Sequence, residues 1–489
     1  MEEDLDLFSS ITELATLIRT RKITSVKLTE AYLQRLEKYG PRLNAVATVL
    51  ADSALTEAVA ADREIQRGRY RGPLHGIPYG VKDLVATRIG KTTWGAKPYE
   101  NQQFNFDGTV VEKLRDAGAV LVAKLAMVEL AGGMGYNEAS ASLTGPCKTP
   151  WNIDYWSGGS SSGPGSATAA GLVAFSIGSE TSGSIITPAA FSGISGFRPT
   201  YGAVSRHGAM ALCWTLDKLG PMCRSAADCG IVMKAIAGKD PLDPTSRDFP
   251  SASFPGELPG AISRRGKELG RDVQRLFGRT PAAGIRIGVM KDSYDKAQPE
   301  VKENFLKSVE VLRKFGKVEM DVKLPDFPYG PAVGTIVDAE GAAAFRDLIE
   351  TGGVQQLASP NGRVGGYAAS LVTAVDYLHA MRLRIPMRKA WNEMFKKIDV
   401  LVAPSRSTVS YPIDKTFDQA YPGITAGSPI GASNLVGVPA ISIQNGFGQN
   451  NLPTGIQFVG PAWSDYSLIE LAVKFQQATN WHKRRPAMD

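Results

Sequence analysis

Three side chains in the sequence stand where local backbone structure can activate them for chemistry. Lys82 ends a short, Pro-bounded apolar run that is typical of a strand. Ser160 lies in a run of serines and glycines at 157–166, and Ser184 closes a second run that begins at Gly178. Successive N–H groups in such a loop can converge on one point, which is what an oxyanion needs. Each segment alone also fits a strand end or an ordinary loop.

Other kinds of chemistry are not indicated. The run at 157–166 lacks the Gly-Lys-Ser/Thr ending of a phosphate-binding loop and the glycine spacing of a dinucleotide fingerprint. The 4 cysteines include no C-x-x-C pair, and the 4 histidines are widely separated in the chain. We therefore expect neither a cofactor nor a metal.

Taken together, these segments resemble the amidase signature family. Ser160 ends a Gly-Gly-Ser run and Ser184 ends a Gly-Ser run, and 184 − 160 = 24 residues separate them, as in that family. The runs at 188–191 and 196–202 also look like the family, and the resemblance is densest over 72–200. It implies an α/β fold in which a large mixed β-sheet core is flanked on both faces by α-helices.

The resemblance also assigns a role to each side chain. Ser184 would be the nucleophile that attacks an amide carbonyl, and Ser160, preceded by a cis peptide bond from Gly159, would pass its proton to the base Lys82. An acyl-enzyme would form, the amine would leave, and water would complete the cycle. The oxyanion hole would be made by four consecutive backbone N–H groups, those of Thr181, Ser182, Gly183 and Ser184.

Lys82 can act as a base near neutral pH only when its amine is uncharged. A free lysine has a pKa of about 10.4, so burial and hydrogen bonds to the neutral amine must lower that pKa by several units. We therefore expect Lys82 to be buried, with no carboxylate close to its amine. Asp83 and Glu180 are expected to point elsewhere, because an ion pair with either would count against this mechanism.

The loop around Ser184 departs from the common family loop, Asp-Thr-Gly-Gly-Ser-Ile-Arg, at three positions. Glu180 stands for the aspartate, Ser182 for a glycine and Ile186 for the arginine. The chemistry can survive these changes because the oxyanion hole uses backbone groups. The changes bear instead on the subclass.

One subclass is the glutamine-hydrolysing A subunit of the tRNA-dependent amidotransferase, which this chain resembles in length and in the run at 201–206. Arg384 aligns with the arginine that binds the glutamine carboxylate in that subunit. Gly427, however, stands at the position where that subunit has an aspartate that holds the glutamine amino group. Because an unmet buried charge is costly, we favour a stand-alone amidase for a less polar substrate. The alternatives are the glutamine-hydrolysing component, a urethane or carbamate hydrolase, and a non-catalytic binding protein that uses the Gly/Ser loops.

Six residues are candidates for the substrate pocket. The family's loop before the Gly-Gly-Ser run implies that Ala131, Gly132 and Gly133 approach the site, and Tyr136, Trp156 and Trp214 are candidates for an aromatic wall. Ordinary packing is the alternative for each aromatic residue. The expected substrate is a small-molecule amide, with aryl amides, esters or carbamates possible.

Hydrophobic periodicity predicts the elements that position these residues. Residues 1–70 are predicted to be helical, with a helix cap at Thr24-Ser25. In the signature core, 72–202, helical patterns alternate with short apolar runs, which favours parallel strands. This core includes a small-residue helix from 167 and a loop over 178–184. The stretch 240–282, rich in Pro, Gly and Arg, predicts a surface excursion within a single amidase domain, 1–489.

Composition limits the remaining possibilities. The chain has 489 residues, and its net charge of 55 − 48 = +7 is too small to indicate nucleic-acid binding. No apolar run reaches the roughly 18 residues of a membrane-spanning helix, and the N-terminus is acidic where a secretory signal is basic. We expect a cytoplasmic monomer or homodimer that takes a small-molecule amide or carbamate, with neither nucleic acid nor a membrane as partner.

Overall fold

A computed structural model of the protein describes residues 5–249 and 284–488. Its strands are β1 (Val46–Val49), β2 (Pro78–Lys82), β3 (Val120–Leu125), β4 (Lys148–Thr149), β5 (Asn152–Trp156), β6 (Phe175–Glu180), β7 (Ser195–Arg198), β8 (Lys218–Cys223), β9 (Ile285–Met290), β10 (Gly316–Val322), β11 (Val400–Pro404), β12 (Ala440–Phe447) and β13 (Pro453–Val459). Eleven of them form one sheet in the order β1-β3-β2-β6-β8-β7-β12-β13-β11-β9-β10, and β4 pairs with β5.

The helices cover this sheet. They are α1 (Ile11–Arg19), α2 (Ser25–Leu43), α3 (Ala51–Gln66), α4 (Thr109–Asp116), α5 (Ser162–Ala169), α6 (Ile186–Ser192), α7 (Ala226–Ile236), α8 (Pro299–Leu312), α9 (Tyr329–Ala344), α10 (Arg346–Glu350), α11 (Pro360–Ala369), α12 (Ala374–Phe395), α13 (Phe417–Ala420), α14 (Ile430–Val436) and α15 (Asp465–Thr479). On β3, Val120 and Val122 pack with residues of α2 and α3. These two helices therefore cover this end of the sheet.

The sheet is mixed. β3, β2 and β6 run parallel, as do β11, β9 and β10, but the strands between these groups pair antiparallel. The mixed sheet implied by the family resemblance is confirmed, whereas the parallel strands favoured by the alternating pattern are found only in these two groups. β7 and β8, like β12 and β13, are joined without an intervening α-helix, and such neighbours pair antiparallel.

Three local predictions need correction. The region 1–70, predicted to be helical, also contains the strand β1, which lies between α2 and α3 and pairs with β3. α5 begins at Ser162 rather than near 167, so Pro164 lies inside its first turn. β6 continues through Gly178 to Glu180, where a loop was predicted, because β8 pairs with it along its whole length. The loop that carries the candidate nucleophile therefore begins at Thr181.

The predicted surface excursion is described only in part. Residues 240–245 form turns, with an isolated bridge between Asp240 and Asp243, and 250–282 lie outside the described residues. Among the residues described, no helix has the length and apolarity to span a bilayer. The same residues contain no cluster of three or more side chains suited to a metal.

Candidate active site

The carboxyl ends of β2 and β6 bring an amine and a hydroxyl together. These strands are parallel neighbours, with Val81 opposite Ile177. Their carboxyl ends therefore meet at one edge, where open α/β sheets commonly bind ligands. Lys82 is the last residue of β2, and Ser179 is the second-last residue of β6. The sheet thus joins two side chains that lie 97 positions apart in the chain.

The Lys82 amine is enclosed by hydroxyl groups. Its Nζ lies 2.7 Å from Ser160 Oγ and 2.9 Å from Ser179 Oγ, and the residue is 0% exposed. Burial lowers the pKa of Lys82 to about 7, although Asp217 and Glu180 favour the charged form from a distance. The predicted burial is confirmed. With this pKa, part of the amine is unprotonated near neutral pH and can accept a proton.

The two neighbouring carboxylates have other partners. Asp83 Oδ1 lies 3.3 Å from Lys124 Nζ, and Glu180 Oε1 lies 2.9 Å from the guanidinium of Arg198. Within the described residues, no carboxylate forms an ion pair with Lys82. The prediction that Asp83 and Glu180 point elsewhere is confirmed.

Ser160 and Ser184 lie on adjacent loops. The Gly159–Ser160 peptide bond is cis, as the resemblance implied, and Ser160 is buried. The N–H of Ser161 donates to the carbonyl oxygen of Ser184 at 3.2 Å, which ties the two loops together. Ser184 is partly exposed, and its Oγ makes no hydrogen bond with any described residue. Its hydroxyl is therefore open to a substrate.

The loop after β6 keeps backbone donors available. In the described part of the chain, the N–H groups of Thr181, Ser182, Gly183 and Ser184 have no protein acceptor. Gly183 has a φ of +94°, so this turn needs glycine. The Thr181 hydroxyl donates to Asp217 at 2.6 Å and fixes the start of the loop. Free N–H groups beside a serine hydroxyl can stabilise a developing oxyanion.

A buried charge network, which the sequence reasoning missed, supports this loop. Glu180 Oε2 accepts the N–H groups of Ile185 and Ile186 at 2.8 and 3.0 Å. Its Oε1 accepts from Arg198 and Asn434 at 2.9 and 2.8 Å. Burial alone would raise the pKa of Glu180, but the guanidinium, the amide and the backbone N–H outweigh burial and lower it to about 2. Glu180 is therefore a fixed anion that anchors the backbone just after the loop.

Replacing Glu180 with glutamine is expected to lower the free energy of unfolding by about 3–5 kcal/mol, because the fully buried Arg198 loses its counter-charge. The rate of amide hydrolysis should fall as well, since the loop loses its anchor. Urea unfolding and kcat measure the two effects. Glu180→Asp, which keeps the charge and restores the common family residue, is the matched control and should lose less. An unchanged unfolding free energy in Glu180→Gln would contradict this role.

A cleft of about 390 Å³ adjoins Ser179 and Thr181. This volume lies within the range of small-molecule sites, roughly 300–1,000 Å³. Much of its lining is apolar, contributed by Leu84, Ala131, Met210, Leu212, Trp214, Leu219 and Leu242. The cleft therefore suits a substrate with a substantial apolar part.

The charged groups that line the cleft already have partners. Arg206 lies 3.4 Å from Asp243. The Asp217 carboxylate accepts from the Thr181 hydroxyl and from the N–H groups of Leu212 and Cys213. Lys218, also a lining residue, donates to Asn434 Oδ1 at 2.6 Å. A charged ligand would have to compete with these contacts.

The structure separates the six candidate pocket residues. Ala131 and Trp214 line the cleft. Tyr136 and Trp156 instead pack with Phe417, at ring-centroid distances of 5.7 and 4.7 Å. A Cβ on Gly159 would lie 2.6 Å from the Trp156 ring, so this indole supports the Ser160 loop.

The two glycines of the predicted pocket loop are placed by close packing. A Cβ on Gly132 would lie 2.6 Å from the Tyr136 ring, and one on Gly133 would lie 2.4 Å from Leu212. Beside them, Leu130 and Ala131 adopt left-handed φ values of 49° and 57°. Such backbone strain in non-glycine residues is common at ligand sites.

Arg384 is committed to the protein's own backbone. It is buried, and it donates to the carbonyl oxygens of Leu435 and Thr215 at 2.9 and 3.0 Å. The N–H of Gly427 donates to the carbonyl oxygen of Asp292 at 2.9 Å. Through its hydrogen bond to Thr215, Arg384 holds the segment next to Trp214, which is a structural role.

Comparison with known proteins gives consistent results. The family model described as Amidase matches residues 27–469. The A subunit of the glutamyl-tRNA(Gln) amidotransferase from Roseiflexus sp. (strain RS-1) is 34% identical over 488 residues, 95% of each chain. The native peptide amidase of Stenotrophomonas maltophilia matches with a TM-score of 0.81 and 31% identity, over 98% of this chain and 99% of that one. A bacterial aryl acylamidase shares the fold, with a TM-score of 0.80 and 23% identity over 97% of both chains.

Proposed function

Since this chain belongs to the amidase family, we propose that it is a serine hydrolase that cleaves small, uncharged amides, aryl amides among them, without a partner protein. The observation that carries the proposal is the environment of Lys82. Its amine is buried, has a pKa of about 7, and lies within hydrogen-bonding distance of Ser160 Oγ. This is the base that a serine nucleophile needs for acyl transfer near neutral pH.

The proposed reaction uses these groups in order. Ser184 Oγ attacks the amide carbonyl carbon, while its proton passes to Ser160 and the Ser160 proton passes to Lys82. The carbonyl oxygen becomes an oxyanion held by the free N–H groups of 181–184. The C–N bond then breaks, and the amine leaves with a proton returned by the same relay. Water, deprotonated along that relay, hydrolyses the ester on Ser184 and releases the acid.

The cleft supports an uncharged substrate. Its cations and anions already pair with protein groups, and its apolar lining includes Trp214, a side chain that is 45% exposed. Burying a new charge in this cleft would require an unpaired partner that its lining does not offer. An aryl ring on the leaving amine could instead pack against apolar side chains.

The glutaminase alternative draws support from the identity to the A subunits of amidotransferases, but the contacts of this chain favour it less. Arg384 is occupied by two backbone carbonyls, and Gly427 has no carboxylate to hold an amino group. The nearby Asp217 and Glu340 already accept hydrogen bonds from Thr181 and Thr215. A zwitterionic amino acid would therefore meet few free charges here.

The purified chain alone is expected to release 4-nitroaniline from 4-nitroacetanilide and to release no ammonia from glutamine. The first reaction requires only a neutral cleft and the relay, whereas the second requires both charges of an amino acid to be matched. Absorbance of the freed aniline measures the first, and a coupled ammonia assay measures the second.

A matched carbamate, methyl N-(4-nitrophenyl)carbamate, carries the same leaving amine and separates an amide from a carbamate preference. A higher kcat/KM for the carbamate would move the assignment to a urethane hydrolase. Glutamine hydrolysis in preference to both substrates, or activity that appears only with a co-purified protein, would favour the amidotransferase.

A further inference from the structure

The helices α11 and α12 present large apolar side chains to solvent. Six such residues stand within 22 positions of the chain, Val364, Tyr367, Leu371, Val375, Leu378 and Ile385, with exposures of 63%, 44%, 81%, 75%, 58% and 71%. Scattered single apolar residues are ordinary on a protein surface, but a concentration of this kind marks an interaction surface. We name these six residues, together with the cations described below, the α11–α12 face.

The spacing along α12 places its exposed residues in one stripe. Val375, Leu378, Arg382, Ile385 and Lys389 follow one another at alternating steps of 3 and 4, so they share one side of the helix. A second stripe, Ala380, Arg384, Met387 and Trp391, is buried against the protein. The fold therefore needs only one apolar side of α12, and packing within the chain leaves the other uncovered.

The most exposed residues lie at the turn between the two helices. Leu371 at 81% and Val375 at 75% flank the segment 372–374. Val364 and Tyr367 of α11 and Leu371, two positions beyond the end of that helix, follow at steps of 3 and 4, so this stripe runs into the same turn. Side chains exposed by three-quarters or more stand out from their surroundings, so the turn is a projecting tip rather than the floor of a groove.

Cations accompany the apolar residues. Arg363, Arg382 and Lys389 are exposed, and Asp376 is the one exposed acid among the described residues 360–390. Arg382 and Lys389 form no ion pair with any described residue. Long cationic side chains can lay their stems along apolar surface while their charges reach outward. The α11–α12 face is therefore both apolar and basic.

We propose that the α11–α12 face docks the enzyme peripherally on an anionic lipid surface. Apolar side chains at a projecting tip enter the boundary between headgroups and acyl chains, and the flanking cations contact anionic headgroups. This inference goes beyond amide hydrolysis. It also departs from the expectation that the protein has no membrane partner.

Two other occupants fit these observations less well. A second copy of this chain, related by a twofold axis, would bring the same basic side chains together and place like charges in contact. An acidic helix from a partner protein would match the charge, but helix docking uses an apolar groove rather than a projecting tip. Charge and shape together therefore favour a lipid surface.

Flotation with lipid vesicles tests the proposal on the intact chain. We expect the wild-type protein to float with vesicles of phosphatidylglycerol and phosphatidylcholine, about tenfold more than with phosphatidylcholine alone, and to be released by salt. The double variant Leu371→Glu/Val375→Glu should lose binding to both, because acidic side chains then occupy the tip. Arg382→Gln/Lys389→Gln should lose chiefly the part that depends on anionic lipid. Ile89→Glu, at a side chain that is 53% exposed elsewhere, is the matched control and should float like the wild type.

Three outcomes would overturn the proposal. One is a wild-type protein that does not float with anionic vesicles. Another is flotation that the tip variant leaves unchanged. The third is a dimer, detected by light scattering, that the tip variant converts to monomer, since the face would then be an interface between two copies. Hydrolysis of 4-nitroacetanilide by the same variants is a separate readout, so a failure of docking cannot be mistaken for a failure of the proposed activity.

Discussion

The Ser184→Ala protein is expected to hydrolyse 4-nitroacetanilide about 10⁴- to 10⁶-fold more slowly than the wild type, because no oxygen remains to form the acyl-enzyme. Its stability should be unchanged, since Ser184 is partly exposed and its Oγ makes no hydrogen bond with any described residue. This separation of activity from stability is specific to a nucleophile. It is measured by kcat/KM and by the melting temperature of the two proteins.

Ser182→Ala is the matched control for this variant. Ser182 lies on the same loop and is exposed, and the change keeps its backbone N–H. It should retain activity if the loop works through backbone groups. A serine-reactive phosphonate should add one adduct to the wild type and to Ser182→Ala, and none to Ser184→Ala, by intact-protein mass spectrometry. Equal labelling of all three proteins would remove Ser184 from the mechanism.

Local signals were sufficient to predict many elements of this fold. Thr24 caps α2 with its side chain, and the Ala- and Glu-rich pattern after residue 50 forms α3. Short buried strands such as β2 and β3 were predicted from apolar runs. Strand pairing was not predictable in the same way, because the antiparallel contact of β6 with β8 joins distant segments. That contact extended β6 into a run of small polar residues whose composition is typical of a loop.

The candidate site was predicted in its outline but not in its supports. Lys82 stood out by its place at a strand end, whereas Ser179 looked like its hydroxyl-bearing neighbours until the sheet placed it 2.9 Å from the lysine amine. Arg198 lies within a run that resembles the family, yet nothing local shows its pairing with Glu180. Asn434 lies 254 positions from Glu180, and such a contact leaves no trace in a single sequence.

The α11–α12 face was hidden by a general feature of helical patterns. α12 carries apolar residues on two opposite sides, and a sequence pattern of that kind is typical of a buried helix. Only the packing around it shows which side is covered. Ile385 is 71% exposed although its neighbour Arg384 is buried, and only the structure shows this difference.

Three lysines are fully buried in the described part of the chain, Lys82, Lys124 and Lys218, and the first two make a natural experiment. Lys82 is surrounded by the Ser160 and Ser179 hydroxyls, whereas Lys124 lies 3.3 Å from the Asp83 carboxylate and donates to the Val85 carbonyl at 2.8 Å. Burial lowers the pKa of both, to about 7 for Lys82 and about 8 for Lys124. Only the first touches the hydroxyl relay, so only the first should act as a base.

Lys82→Met is expected to lower kcat/KM by about 10³- to 10⁵-fold and, at the same time, to stabilise the fold at pH 7. Because the pKa of Lys82 is lower in the folded state than in the unfolded state, taking the charged amine out of water on folding costs free energy in the wild type. This cost is fully present below about pH 7 and disappears as the pH rises toward 10.5, the ordinary pKa of lysine. The excess stability of the variant should therefore shrink over that interval, as urea unfolding at several pH values would show.

Lys124→Met is the matched control, and it should behave in the opposite way. It should keep the hydrolytic rate constants but lose about 3–5 kcal/mol of stability, because Asp83 would be buried without its cation. In the wild type, kcat/KM should rise with pH through about 7 and then level off, as the Lys82 amine loses its proton. Circular dichroism over the same range separates this rise from unfolding. A flat profile, or a Lys82→Met protein that stays active, would show that another group accepts the proton.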